Sequence, residues 1–247
     1  MGMKKKEIIL SLLFSLLLSG CSNKSKNAIE VTFNYDIYVS NAFSEADASL
    51  VSIDDISINV NAFDVYNMLV GESTFLLYIH SPYCSHCEDT DYLWAKYVKE
   101  HPYSIYAYFP DSQEEYMQYL NTYDNINFPE QVLTPRLLIA SKGKILEEIK
   151  PAKITGTYSV FKSTINAFTK STKTYTLSKN EALDTYLDDK GNDSQIYIYD
   201  SSKIESIKKY NNESSLDDVL TIDINLVDNN LQERLKDIEL NTFVKLN

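Results

Sequence analysis

The sequence predicts an α/β fold built as two successive units, and three observations carry this. Between residues 51 and 170, short apolar runs alternate with stretches of helical spacing, in the order βαβαβαββα. After Thr174 a similar order begins again. The chain has 247 residues and 44% hydrophobic content, enough for one core and for a second.

Val51 to Ile58 alternates as a strand does. Asn61 to Val70 sets Phe63, Tyr66 and Leu69/Val70 on one helical face, and Gly71 closes it. Phe75 to Ile79 is continuously apolar, the pattern of a strand buried on both faces. A helix follows over Glu88 to Glu100, with Leu93, Trp94, Tyr97 and Val98 as its inward stripe and His101-Pro102 as its stop. Tyr103 to Phe109 is the next strand. Ser112 to Tyr123 is a helix with Tyr116, Tyr119, Leu120 and Tyr123 inward, followed by a loop with Phe128-Pro129. Pro135 opens the strand Arg136 to Ala140, Lys142-Gly143 turns the chain, and Lys144 to Ile149 returns. Thr157 to Thr169 is a closing helix on Val160, Phe161, Ile165 and Phe168.

The stretch Ser81-Pro82-Tyr83-Cys84-Ser85-His86-Cys87 lies between the buried strand and its helix. Unpaired backbone N–H groups and the helix dipole both favour a thiolate at that place. Cys84, at the first turn, is expected to be the more exposed thiol and the nucleophile. Cys87, one turn further in, is expected to resolve the mixed disulfide. A structural disulfide without turnover is the plainer alternative, although so small a ring constrains little chain. His86, as an imidazolium near Cys84, favours the thiolate; Glu88, Asp89 and Asp91 act in the opposite sense. Cys84, His86 and Cys87 as metal ligands form a rival reading. Ligands on one helical turn close poorly around an ion, and no fourth is evident, so no metal is assigned.

With that motif in place, residues 51–170 resemble the thioredoxin fold, in which a central mixed sheet is flanked by helices. Cys84-Ser85-His86-Cys87 and the Thr134-Pro135 step stand where that family has its redox motif and its proline. The resemblance covers about half the chain. It implies a cis Thr134–Pro135 peptide facing the dithiol, and a substrate groove shaped by Tyr83, Thr134 and Pro135. It also implies protein substrates with cysteines or disulfides, and a membrane or soluble redox partner. No cofactor is implied beyond the redox-active Cys84–Cys87 disulfide. The motif is similar to the Cys-Pro-His-Cys of thioredoxin-fold oxidases, but Ser85 replaces the proline, and it does not match the Cys-Gly-Pro-Cys of the reductants. Tyr78 stands where thioredoxins carry a buried Asp that relays a proton to the resolving thiol.

Residues 1–20 read as a lipoprotein signal peptide. Lys4-Lys5-Lys6 precedes an apolar run from Ile8 to Leu18, too short to span a bilayer comfortably. Leu18-Ser19-Gly20-Cys21 resembles the bacterial lipobox, which makes Cys21 the lipidation site and explains the odd cysteine of the three. The protein is then expected on the extracytoplasmic face of a bacterial cell membrane, held by a lipid anchor. Residues 21–50, rich in Ser, Asn, Lys and Ala, are expected as a tether, with Val31 to Val39 strand-like. The net charge of −12 argues against nucleic acid, and losing residues 1–20, with three Lys and one Glu, makes it −14.

The reading therefore divides the chain into 1–20 signal, 21–50 tether, 51–172 thioredoxin-like unit and 173–247 a smaller, degenerate thioredoxin-like α/β unit. Ala182 to Tyr186 echoes Ala62 to Tyr66 at an offset of 120. At that offset the strand Gln195 to Asp200 falls on Phe75 to His80, and Cys84 and Cys87 fall on Ile204 and Ile207. Val219 to Asn225 is a strand, Asn229 to Ile238 a helix, and Thr242 to Leu246 a last strand near a sheet edge. An unrelated α/β extension is the alternative. In function, a thiol–disulfide oxidoreductase stands first; a non-catalytic lipoprotein module for secretion or surface partners stands second.

Overall fold

The computed structural model describes residues 29–40, 51–110, 114, 133–149, 155–170, 174–191 and 194–246. The expected signal peptide, Cys21 and the loop with Phe128-Pro129 lie outside them, as does the helix Ser112 to Tyr123 except Glu114. The architecture is α/β, with two five-stranded mixed sheets flanked by helices. Among the described residues, no helix is long and apolar enough to cross a membrane.

The first unit begins with a correction. Val51 to Ile58 is not a strand. Ser52, Asp54 and Asp55 build a capping box: Ser52 Oγ accepts from Asp54 N at 3.3 Å, and Asp55 Oδ2 accepts from Ser52 N at 3.2 Å. A short helix therefore occupies Ile53–Ile56, and the strand β3 is Ile58–Val60. The helix Ala62–Val70 is capped by Asn61 in the same way. Its inward face is rotated from the expected one: Val65, Met68 and Leu69 are buried, whereas Phe63 is exposed. Strand β4 (Phe75–Ile79) is buried throughout. Its side chains alternate, so Leu76 and Tyr78 enter one core while Phe75, Leu77 and Ile79 enter another. The long helix runs Ser85–Glu100, and Leu93, Trp94, Tyr97 and Val98 are its buried stripe. Strand β5 is Tyr106–Tyr108, shorter than expected. Strands β6 (Arg136–Ser141) and β7 (Lys144–Ile149) form the hairpin. Lys142 and Gly143 both take positive φ in its turn. The helix Tyr158–Asn166 packs Phe161 edge-on to Trp94, ring centroids 4.8 Å apart. Val160, expected inward, is exposed.

The strand order is β3-β5-β4-β6-β7. The first three are parallel; β6 runs antiparallel to β4, and β7 to β6.

The second unit opens with β9 (Tyr175–Thr176), which the sequence did not announce. It continues with the helix Asn180–Lys190, β10 (Gln195–Tyr199), the helix Ile204–Asn212, β11 (Leu220–Asp223), the helix Asn229–Leu235 and β12 (Phe243–Lys245). Here β9-β11-β10-β12 repeats β3-β5-β4-β6 in order and direction, with β12 at the edge as expected.

The tether expectation fails over residues 29–40. Strand β1 (Ile29–Glu30) pairs in parallel with β8 (Thr169–Lys170), and β2 (Phe33–Asn34) pairs with β9. Tyr35–Ser40 is a helix. Ile29, Val31 and Ile37 are buried in the first unit's core and Tyr35 in the second's. Those apolar residues, spaced within a polar stretch, are what the composition obscured.

Candidate functional site

Pairing of β4 with β6 assembles the site. Ile79 lies opposite Arg136, so the residues that follow β4 meet the residues that precede β6. Cys84 is the N-cap of the long helix and is half-buried. Its thiol reaches the carbonyl oxygen of Thr134 at 3.4 Å. Cys87, one turn in, is 2% exposed. Both are free thiols. Burial raises the Cys87 pKa, and the neighbouring Cys84 raises it further; hydrogen bonds from the Ser81 backbone and the Thr134 side chain oppose this. The Thr134–Pro135 peptide is cis, and Pro135 is buried.

The other expected residues fall around this pair. Tyr83 is 90% exposed and meets Phe109 edge-on at 6.3 Å. Leu133, half-exposed, precedes Thr134 on the same loop. His86 lies on the exposed first turn, its carbonyl accepting from Thr90 Oγ1 at 2.9 Å.

The sequence reading took Asp91 in this neighbourhood only as one of three acids opposing the thiolate, and gave His80 no role. Asp91 lies four residues after Cys87, hence on the same helical face. Its carboxylate accepts a hydrogen bond at 3.1 Å from the hydroxyl of Tyr78, which is fully buried. Burial pushes the Asp91 carboxyl up to about 6, with the charges of Asp54 and Glu88 adding to it and the Tyr78 hydrogen bond opposing it. The Tyr78 hydroxyl is itself raised, first by burial and then by the charges of Asp91 and Cys87. His80 stacks on Tyr78 at 5.5 Å, and burial lowers its pKa. The Cys87–Asp91 spacing was legible in the sequence; the strand face that brings Tyr78 to it was not.

The matching turn of the second unit holds no thiol. There the loop is one residue shorter. Lys203 N reaches Asp200 O at 3.1 Å as Cys84 N reaches Ser81 O, and Ser206 N reaches Lys203 O at 2.9 Å as Cys87 N reaches Cys84 O. Lys203 and Ser206, rather than the expected Ile204 and Ile207, thus stand in the cysteine positions. Ser206 is buried, its hydroxyl accepting from Asp200 N and donating to Asn241 Oδ1. Among the described residues, no group of three His, Cys, Asp or Glu is placed to hold a metal ion.

Comparison of the chain with known protein families finds no match, and a search of curated proteins finds none.

Proposed function

We propose that the chain is a thioredoxin-like thiol–disulfide oxidoreductase, anchored through Cys21 to the extracytoplasmic face of a bacterial membrane. The observation that carries the reading is the asymmetry of the two thiols. Cys84 is accessible at a helix N-terminus, and Cys87 is buried behind it with a raised pKa. The strand order β3-β5-β4-β6-β7, with the dithiol after β4 and Thr134 before β6, is the order expected of a thioredoxin-like unit. The second unit, with four strands in the same order and no dithiol, fits a degenerate copy.

Acting on a client disulfide, the Cys84 thiolate attacks one client sulfur. The client S–S bond breaks, a Cys84–client disulfide forms, and one client thiolate leaves. Cys87, after losing its proton, attacks the Cys84 sulfur. The Cys84–Cys87 disulfide forms, and the second client thiolate leaves. Two electrons pass to the client, whose thiolates take up two protons. The reverse sequence oxidises a client dithiol. Another protein regenerates the pair in either direction. The Thr134 carbonyl, Pro135 and the exposed Tyr83 border the place where the client chain would lie. His86, exposed beside Cys84, tunes the pair by its charge in this reading.

The test is alkylation of the reduced protein at neutral pH, read by mass spectrometry, with Cys84→Ser and Cys87→Ser as references. Cys84 is expected to react at least about tenfold faster than Cys87. Equal, slow alkylation of both would sink the enzyme reading and favour the binding module. Equilibration of the pair in glutathione buffers then gives the direction of electron flow.

A further inference from the structure

In open α/β sheets, ligands are held in the crevice beyond the carboxyl ends of parallel strands. The first unit carries its dithiol turn there. In the second unit that end, after β10 and β11, faces the first unit. Asn211 donates to the carbonyl of Gly71, and Asn67 Nδ2 lies 3.5 Å from the carbonyl of Ser202, which closes one side. Between the units a cavity of about 330 Å³ remains, near the lower size limit for small-molecule sites.

The chemistry of its wall is one-sided. Glu30, Glu213, Asp217 and Asp223 line it, and no Lys, Arg or His does so among the described residues. Asp223 is 8% exposed. Its Oδ1 accepts from the backbone N–H groups of Ser201 and Asn225, at 3.0 and 3.1 Å. No hydrogen bond of ordinary geometry reaches its Oδ2 or the buried hydroxyl of Ser201, which lies near enough to weigh on the carboxyl. A buried carboxylate oxygen left so is costly unless a donor or a cation meets it. Burial accordingly raises the Asp223 carboxyl to about 6, with Ser201 and the Asn225 amide opposing the rise and the Asp200 charge adding to it. Three phenol rings complete the wall: Tyr106, Tyr199 and Tyr210, the last two stacked 4.2 Å apart.

Carboxylates exclude an anion. Aromatic rings beside a buried carboxylate fit an organic cation better than a bare metal ion, since rings attract ammonium charge and pack an alkyl stem. We propose that the cavity between the units binds an alkylammonium group, with Asp223 as its counter-ion and Tyr106, Tyr199 and Tyr210 around its stem. The second unit is then a binding unit, a role independent of the dithiol chemistry. A free diamine and a lysine side chain both supply this group.

The test is calorimetric titration of the full chain with 1,5-diaminopentane and, separately, with Nα-acetyl-lysine methylamide, at neutral pH and physiological salt. At least one amine is expected to saturate a single site, while neutral 1-pentanol gives no heat. Binding of the diamine alone assigns a free amine, and binding of the lysine derivative alone or of both admits a peptide side chain. Asp223→Asn keeps an oxygen for the two amides and should weaken binding by about tenfold or more. Asp217→Lys, an exposed substitution that sets a cation at the wall, should weaken it too and serves if the Asp223→Asn variant does not fold. The proposal is overturned if neither amine saturates, or if the substitutions leave affinity unchanged. Multisite binding that disappears with added salt also overturns it, as attraction to an acidic surface.

Discussion

Tyr78 and Asp91 define the buried chemistry behind the dithiol. The phenol is fully buried and donates to the carboxylate at 3.1 Å, while the carboxyl is raised to about 6. A raised carboxyl favours the fold in its protonated form. That contribution is complete below the ordinary value of 3.8 and is lost as pH rises through about 6. Asp91→Asn keeps an acceptor for Tyr78 and does not titrate. Its stability relative to the natural protein, from urea midpoints, should therefore rise between pH 4 and pH 7, by about 1 kcal/mol after allowance for solvent screening. A flat difference would mean that Asp91 is better solvated than its surroundings indicate. The sequence marked Asp91 only as an acid near the first helix turns, because its partner lies thirteen residues away on another element.

Elements were legible where one interaction dominates. The unbroken apolar run of β4, the Gly turn of the β6–β7 hairpin and the stripe of the long helix all stand where the sequence placed them. The errors came where a local hydrogen bond outweighed a pattern. The Ser52 capping box turned an alternating stretch into a helix. Packing on the first unit's own sheet set the face of Ala62–Val70, where Val65, Met68 and Leu69 join Phe75, Leu77, Ile79 and Leu138, while its C-terminal end meets the helix Ile204–Asn212. Gly71 shows how closely they meet: a Cβ there would lie 2.4 Å from Ile207 Cγ2. Its φ of −75° is ordinary, so this glycine serves close approach rather than backbone freedom. Ile207 is 1% exposed and has little room to move. Gly71→Ala should lower unfolding stability by about 1–3 kcal/mol through overpacking. An unchanged melting temperature would show that the helices part at little cost.

At the scale of the molecule, the N-terminal arm ties both units. Thr32 O accepts from Ser104 N at 2.7 Å in the first. In the second, the buried Asp36 carboxylate accepts from Ser178 N and Oγ, at 2.7 and 2.6 Å, and from Lys179 N at 3.0 Å, where the helix Asn180–Lys190 begins. These hydrogen bonds offset part of what burying the carboxylate costs. Asp36→Ala should lower stability by about 2 kcal/mol and hasten proteolysis within residues 29–40, as seen by timed digestion. Resistance equal to the natural protein would mean the strand pairings alone hold the arm.

The sequence by itself determined the α/β class, the position of the dithiol between a buried strand and a helix, and the second run of strands and helices after Thr174. Each of these rests on local signals: apolar runs, helical spacing, turn residues and a motif. Only the tertiary structure decided what distant residues do to one another. It placed the Thr134 carbonyl on Cys84, joined Tyr78 to Asp91, drew residues 29–40 into both cores, and walled a cavity with Asp223 between the units. Those outcomes depend on sheet register and on the packing of one unit against the other. Neither leaves a periodic trace in the chain, because the partners lie far apart in sequence and meet only when the cores close.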